Sequence, residues 1–452
     1  MRELLTATAE RAIRYLESLE DRGVAPTPEA LAALARFDEP LPDGPTEPEQ
    51  VLALLDEVGS PATIAMAGRR YFGFVIGGAL PAALAANWLA SAWDQNSGLF
   101  EITPMTATIE RVALDWLVDV LRLPPGTGGG FVTGATVANF TALAAARHAV
   151  LERVGWDVEA DGLFGAPPIT VVVSAEAHPT LFKSLGMLGL GRSRVVRVPT
   201  DDQGRMLAGA MPRLFGPTIV CTQAGNINTG AFDPIGEISA VAQQAGAWVH
   251  VDGAFGLWAA ASPRLAPRVA GMEDADSWAT DGHKTLNVPY DSGLAFVRDP
   301  EALRAAMAIT AEYLPTAGSE RNPSDFTPEL SRRARGIDVW AAMRQLGRSG
   351  IAGLVDGLHD NARRMAAGLV GVGFEVLNEV AFNQVLVSFG EPAETLRVIA
   401  DLQRDGAAWC GATEWQGRTA MRISVSSWAT TEQDVDQTIA AIVRVARFGG
   451  DE

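Results

Sequence analysis

The sequence predicts an α/β protein in three parts: an N-terminal helical arm over residues 1–75, a large domain over residues 76–330 and a smaller C-terminal domain over residues 331–452. From about residue 104, helical segments alternate with short apolar segments of strand length. This alternation is typical of a mainly parallel sheet covered by helices on both faces. After residue 331 a long helical run precedes several short strands, which predicts an α+β domain.

The predicted arm is helical and interrupted by proline. Residues 2–20 place apolar side chains at helical spacing, and a second helix is predicted over residues 48–58. Between them, residues 37–49 (FDEPLPDGPTEPE) predict a connector that runs over a surface. The apolar stretch from Phe72 to Trp93 contains Asn87 and ends in polar residues, so we interpret it as buried soluble structure and expect no membrane span.

The large domain is predicted to begin with a helix over residues 104–123, a strand over residues 130–132 and a long helix that ends near Arg153. Further strands are predicted at residues 169–174, 193–198, 218–222, 248–251 and 293–297. Ligands of α/β sheets bind at the carboxyl ends of the parallel strands, so candidate site residues are expected there.

The small domain is predicted to begin with a helical run over residues 331–373. Two helices and three strands follow, the helices over residues 392–405 and at the C-terminus, the strands over residues 374–377, 384–389 and 420–425.

Composition excludes several classes of function. The formal charge of −18 disfavours a nucleic-acid partner, and two cysteines cannot form a disulfide scaffold. The five histidines show no HxH or HExxH spacing, so no metal site is expected. No signal peptide is visible at the N-terminus, so we expect a cytoplasmic enzyme. Among the 36 basic residues only Lys183 and Lys284 are lysines, which leaves two side-chain amines as candidate nucleophiles.

Four segments at strand ends carry groups that suit one cofactor. Residues 133–136 (TGAT) join a strand to a helix, where backbone N–H groups and the helix dipole favour a phosphate. His178 and Asp252 follow or end predicted strands, and Lys284 lies in the segment DGHK. Pyridoxal 5′-phosphate requires a lysine for its aldehyde, a carboxylate for its pyridinium nitrogen and donors for its phosphate. Each residue alone also has a structural interpretation, such as a helix cap or a hydrogen-bonding histidine.

Other nucleotide and hydrolase motifs are missing from the sequence. Neither lysine lies in a P-loop, the glycines at 126–130 precede a strand instead of following one, and no GxSxG segment occurs. The ordered series of phosphate turn, histidine, aspartate and lysine is therefore the main chemical signal.

This series resembles the group II pyridoxal-phosphate-dependent decarboxylases, the family of aromatic amino acid, glutamate and histidine decarboxylases. The resemblance covers about residues 70–442. The segments that carry it are YFGF at 71–74, DQN at 94–96, TGATVAN at 133–139, HP at 178–179, TGAFDPI at 229–235, HVDGA at 250–254, the block at 276–292, LSRRAR at 330–335 and MRISVS at 421–426. It implies fold type I (aspartate aminotransferase-like), pyridoxal 5′-phosphate as cofactor, and a homodimer with its active site at the subunit interface.

The resemblance assigns cofactor-binding residues. It implies that Lys284 forms the internal aldimine and that Asp252 pairs with the ring nitrogen. His178 would stack on the cofactor ring, and Ala254 would lie beneath the opposite face. The phosphate turn and the residue before the lysine complete the set: Gly134, Ala135, Thr136 and His283.

The resemblance also implies substrate and catalytic residues. Arg422 matches an arginine that binds the substrate α-carboxylate, and Tyr313 matches a loop tyrosine that protonates Cα after CO₂ leaves. Trp93 and Phe100 come from the segment that lines the side-chain pocket, which favours an apolar or aromatic substrate. Structural alternatives are a packed loop anchor for Tyr313 and a buried acidic partner for Arg422.

Departures from the family pattern leave the reaction open. The family's Gly-Thr-Thr stretch is replaced by residues 225–228 (GNIN), so Asn226 or Asn228 is a candidate contact for the cofactor's phenolic oxygen. The common Asn-Pro before His-Lys is Asp281-Gly282. The expected reaction is decarboxylation of an L-amino acid through the Lys284 aldimine and a quinonoid. Alternatives are transamination, aldehyde formation, lyase cleavage, and a non-catalytic protein that binds pyridoxal phosphate.

Overall fold

A computed structural model describes residues 1–309 and 320–448 of the chain. The helices are α1 Arg2–Ser18, α2 Pro28–Ala33, α3 Pro48–Leu54, α4 Ser60–Ala62, α5 Pro81–Trp93, α6 Pro104–Val120, α7 Ala135–Glu152, α8 Val158–Asp161, α9 Pro179–Met187, α10 Ile235–Gln244, α11 Pro300–Met307, α12 Gly336–Gly371, α13 Pro392–Asp405 and α14 Glu432–Phe448. The strands are β1 Gly128–Val132, β2 Thr170–Ser174, β3 Val196–Val198, β4 Thr218–Gln223, β5 Trp248–Asp252, β6 Ser277–Asp281, β7 Gly293–Val297, β8 Glu375–Val376, β9 Gln384–Ser388, β10 Gly411–Trp415 and β11 Arg418–Ser424.

The larger sheet of the described residues has seven strands in the order β1-β7-β6-β5-β4-β2-β3. Neighbouring strands in the run β6-β5-β4-β2-β3 pair in parallel, whereas β7 runs antiparallel to both of its neighbours, β1 and β6. This confirms the predicted mainly parallel sheet. Helices cover both faces, and α7 packs along β5, β6 and β7. The parallel strands therefore bring their carboxyl ends to one edge, beside the start of α7.

The smaller sheet is antiparallel in the order β10-β11-β9-β8 and carries its own apolar core. The end of the N-terminal segment attaches to it. The N–H of Phe72 donates to Trp409 O at 2.8 Å, the N–H of Ser424 donates to Phe72 O at 2.9 Å, and the Phe72 ring lies in the small core. The boundaries predicted at residues 75 and 330 stay a prediction.

Several predicted elements differ from the observed ones. The strand predicted at residues 130–132 begins at Gly128, and β10 was not predicted because its half-exposed sequence lacks an apolar run. Helix α12 spans most of the predicted run but is interrupted at Gly347, which has φ 61°.

The prediction that residues 72–93 are buried is wrong for the second half of that stretch. Phe72 is fully buried, but on α5 Trp88, Leu89 and Trp93 are 43%, 53% and 42% exposed in the single chain. Within the described chain, no helix combines the length and apolar character that crossing a membrane requires.

Candidate active site

Asp252 ends the central strand β5, in which buried side chains alternate between the faces of the sheet. Val249 and Val251 pack into the core on one face. Trp248, His250 and Asp252 share the other face, toward α7. The two-residue repeat thus places a carboxylate at the carboxyl end of a buried strand. Burial raises the pKa of Asp252, an effect that nearby positive charge opposes.

A chain of hydrogen bonds leads to this carboxylate. Trp248 Nε1–H donates to Ser277 Oγ at 2.8 Å, and Ser277 Oγ lies 2.9 Å from His250 Nδ1. His250 Nε2 lies 2.8 Å from Asn139 Oδ1, and Asn139 Nδ2 donates to Asp252 Oδ2 at 3.1 Å. Burial lowers the pKa of His250 to about 3, so its ring is neutral and has one donor nitrogen. Because the amide of Asn139 donates to Asp252, its oxygen accepts from His250 Nε2–H.

The carboxyl ends of the parallel strands and the first turn of α7 surround a cavity of about 330 Å³. All of the predicted cofactor-binding residues line it. The lining comprises Thr133, Gly134, Ala135, Thr136, Val137, His178, Thr180, Gln223, Gly225, Ile227, Asp252, Ala254, Phe255, Asp281, His283 and Lys284.

Lys284 lies in the loop that follows β6, where an amine, a carboxylate and a helix N-terminus meet. Its Nζ is 3.0 Å from Oδ2 of Asp281, and the lysine side chain is 18% exposed. Oδ1 of Asp281 accepts the N–H of Ala135, the first residue of α7, at 2.6 Å. Asn287 supports the loop because its Nδ2 donates to Lys284 O at 3.0 Å.

Two histidines of the lining are held by backbone N–H groups. Nδ1 of His178 accepts from the N–H of Thr180 at 3.3 Å and thereby caps α9. Nδ1 of His283 accepts from the N–H of Ser292 at 3.1 Å, and its ring stacks on Tyr290 with centroids 4.1 Å apart. Burial lowers the pKa of both rings, and in the neutral form each carries its proton on Nε2.

Comparison with known proteins identifies the family. The family model described as "Pyridoxal-dependent decarboxylase conserved domain" matches residues 36–390. The chain belongs to the pyridoxal-dependent decarboxylases. It is similar to L-2,4-diaminobutyrate decarboxylase of Rhizobium meliloti (strain 1021), with 30% identity over 385 residues, 81% of this chain and 75% of that relative.

Two further similarities concern rice proteins. Tryptophan decarboxylase 1 of Oryza sativa subsp. japonica is 32% identical over 307 residues, 62% of this chain and 59% of that relative. The crystal structure of Oryza sativa TDC with PLP and tryptamine has a TM-score of 0.89 at 24% identity, covering 98% of this chain and 97% of that chain. This structural match shows that the fold is shared.

Membership in the pyridoxal-dependent decarboxylases settles the class of the protein. It is an enzyme of the carboxy-lyase class that acts on amino acids, its cofactor is pyridoxal 5′-phosphate, and its fold is fold type I. These findings confirm the family, the cofactor and the fold class that the sequence predicts.

Four predicted residues of this decarboxylase lie outside the described cavity lining. Trp93 is at the exposed end of α5, and Phe100 lies half-buried in the loop that follows. Arg422 lies on β11, and its positive charge is one of the causes that lower the pKa of His178. Tyr313 falls in residues 310–319, outside the described residues.

The structure directs neither candidate amide of the 225–228 turn into the cavity. Asn226 Oδ1 accepts the N–H of Asn228 at 2.9 Å, and Asn228 Oδ1 accepts from the hydroxyl of Thr413 at 2.7 Å. Gly225 and Ile227 line the cavity in their place. Both amides stabilise the turn and its contact with the small sheet.

Three polar residues at the site were not predicted. Asn139 binds Asp252, Asp281 binds the first turn of α7, and Gln223 ends β4 directly beside Asp252. Gln223 Nε2 donates to Glu176 O at 3.1 Å, whereas its buried Oε1 has no partner among the described residues. Two sequence signals could have identified such residues. Gln223 comes directly after a predicted strand, and Asn139 is an asparagine within an alanine-rich helix.

Proposed function

We propose that this decarboxylase converts an L-amino acid to its amine and CO₂ and that Lys284 is the residue that attaches the cofactor. The observation that carries the proposal is the convergence of the Lys284 amine, the Asp252 carboxylate and the first turn of α7 on one cavity. These groups match the needs of the cofactor's aldehyde, its ring nitrogen and its phosphate.

The residues present fit pyridoxal 5′-phosphate. Gly134 brings the start of α7 close to His283, because a Cβ there would come within 3.3 Å of His283 Cε1, a tight contact. The orphaned Oε1 of Gln223 is a buried acceptor that a polar ligand in the cavity would satisfy.

In the proposed reaction the cofactor, Asp252 and His178 have separate roles. When bound, the cofactor supplies a conjugated ring that takes up the electron pair of the broken Cα–carboxylate bond. Asp252 would hold a proton at the ring nitrogen, since Asn139 Nδ2 and the N–H of Ala254 stabilise its negative charge. His178 would cover the cofactor ring, since its hydrogen bond to the start of α9 fixes the imidazole at the cavity.

Arg422 is the proposed site for the substrate α-carboxylate. Its guanidinium lies over the Phe74 ring at 6.0 Å, and burial lowers its pKa without an opposing carboxylate among the described residues. A partly buried cation without an acidic partner favours an anionic ligand. We further propose that Tyr313 protonates Cα after CO₂ leaves.

The proposed enzyme is a homodimer with the active site at the subunit interface. Trp88, Leu89 and Trp93 form an exposed apolar strip on α5. An apolar strip of this kind on a single chain is typical of a protein–protein contact. In this arrangement Trp93 and Phe100 line a pocket for an apolar or aromatic side chain.

A substrate screen tests the proposed reaction. Incubation with each of the twenty amino acids is expected to give amine and CO₂ in equal amounts from at least one, and none with Lys284→Ala. A keto acid would instead indicate transamination, an aldehyde with peroxide an oxidative reaction, and a shorter amino acid with an aldehyde lyase cleavage. Cofactor binding with no product from any amino acid would contradict catalysis.

A further inference from the structure

Asp281 places a carboxylate inside the turn that the proposed function assigns to a phosphate. The residue is 2% exposed, and its Oδ1 accepts the N–H of Ala135 at 2.6 Å. Ala135 is the first residue of α7, so this N–H is one of the free donors at the helix N-terminus. A charged hydrogen bond of this length at the positive end of a helix is a favourable one.

The second oxygen of Asp281 holds the other group that the cofactor requires. Oδ2 lies 3.0 Å from Lys284 Nζ and 3.6 Å from His283 Nε2. One carboxylate therefore engages both a donor of the phosphate turn and the amine that would react with the aldehyde.

Backbone contacts fix the Cα of Asp281 beside the phosphate turn. The N–H of Asp281 donates to Ala254 O at 2.9 Å, and the residue pairs with Gly293 of β7. Gly293 lies directly against the phosphate turn, since a Cβ on it would be 2.4 Å from Gly134 Cα. Asp281 can rotate its side chain, but its Cα stays beside the turn.

We propose that Asp281 opposes phosphate binding, as an internal anion that competes for the N–H of Ala135 and repels the phosphate dianion. This inference rests on the proposed function and adds a residue that weakens the hold on the cofactor. Like charges at one site disfavour each other, and the buried position limits screening by solvent. Because binding is weaker, the fraction of enzyme that carries the cofactor depends more strongly on the cofactor concentration than it would with a neutral residue at position 281.

Cofactor-free protein and two ligands test the inference. The Kd values for pyridoxal 5′-phosphate and for pyridoxal, which lacks the phosphate, are measured by tryptophan fluorescence for wild type and Asp281→Asn. The variant is expected to bind pyridoxal 5′-phosphate on the order of tenfold more tightly, because it loses a competing charge. Binding of either ligand requires that Lys284 be released from Asp281, but only pyridoxal 5′-phosphate carries the phosphate. A smaller change in the Kd of pyridoxal than in that of pyridoxal 5′-phosphate therefore isolates the effect of Asp281 on the phosphate.

A matched control is Asp276→Asn, which neutralises a partly buried carboxylate just before β6. Asp276 Oδ2 accepts the N–H of Val249 at 2.8 Å and does not line the cavity. This variant is expected to leave the ratio of the two Kd values unchanged. Asp281→Ser removes the charge with a smaller side chain and is expected to act in the same direction as Asp281→Asn.

Three results separate the alternatives. Unchanged or weaker binding of pyridoxal 5′-phosphate by folded Asp281→Asn and Asp281→Ser overturns the inference. Equal tightening for both ligands also overturns it, because the phosphate would not be the group that Asp281 opposes. Failure of wild type and all variants to bind pyridoxal 5′-phosphate contradicts the proposed function itself.

Discussion

Asn139 determines the environment of Asp252, the buried acid that ends β5. Its Nδ2 is held toward Asp252 because its Oδ1 is already bonded to His250. The asparagine thus offsets part of the burial that raises the pKa of Asp252. Loss of this donor would raise the pKa of Asp252 further, so more of the group would be protonated and neutral and unable to pair with a protonated ring nitrogen.

Replacing Asn139 tests this role. Asn139→Leu is expected to weaken pyridoxal 5′-phosphate binding by roughly tenfold, the cost of about 1.4 kcal/mol for one lost buried hydrogen bond to a charge. The measurement is the Kd of the cofactor-free protein. Asn361→Leu is the control, since the partly buried Asn361 of α12 donates to Thr430 O and does not line the cavity, and it is expected to leave that Kd unchanged.

His250 makes stability depend on pH. Its pKa is about 3 in the folded chain and near 6.5 when exposed, so between these values the unfolded chain binds more protons. The stability that His250 contributes is therefore complete above pH 6.5 and is lost as the pH falls. The urea stability of wild type relative to His250→Gln is expected to shrink by up to roughly 1.4 kcal/mol per pH unit below 6.5. A difference independent of pH from 7 to 5 would contradict a neutral buried His250.

At the scale of elements, β7 supports the phosphate turn by direct backbone contact. Position 293 must be glycine, because a Cβ there would lie 2.4–2.6 Å from three backbone atoms of Gly134. Gly293→Ala is expected to displace the first turn of α7 and to weaken pyridoxal 5′-phosphate binding at least tenfold, measured by the same titration. Gly353→Ala, at an open position on α12, is the control and is expected to keep binding intact. Wild-type affinity in Gly293→Ala would show that the turn does not depend on β7.

Elements with a strong apolar or capping pattern could be predicted from the sequence, and contacts between distant elements could not. The bounds predicted for β7 and α13 agree with the structure, because the first is a continuous apolar run and the second begins at a proline. β10 escaped prediction because it is a half-exposed edge strand without an apolar run. The residues of the cofactor site were identified one strand end at a time, and their roles stay predictions.

Contacts between residues of the site depend on how distant strands and helices pair, which no local sequence pattern reveals. Gln223 lies beside Asp252 only through the pairing of β4 with β5, and Asp281 reaches Ala135 across 146 positions of sequence. In the proposed dimer, a second chain completes the pocket that Trp93 and Phe100 line. The sequence of one chain carries no signal for which surface a copy covers.

At the scale of the whole molecule, the exposed strip on α5 predicts the oligomeric state. Leu89→Glu is expected to convert a dimer to a monomer and to lower activity, because a buried charge without a partner opposes association. Sedimentation velocity measures the change. Leu396→Glu on α13 alters a residue of similar exposure, 49%, and is expected to remain dimeric. A monomeric wild type, or a dimeric Leu89→Glu, would contradict this interface.

The attachment of the cofactor to Lys284 is the central claim, and the chain's two lysines make it directly measurable. Pyridoxal 5′-phosphate is added to the purified protein, the adduct is reduced with borohydride, and the modified peptide is located by mass spectrometry. The account predicts a phosphopyridoxyl group on Lys284 and none on Lys183, which lies exposed on α9. A label on Lys183 with Lys284 unmodified, or no label on either lysine, would contradict it.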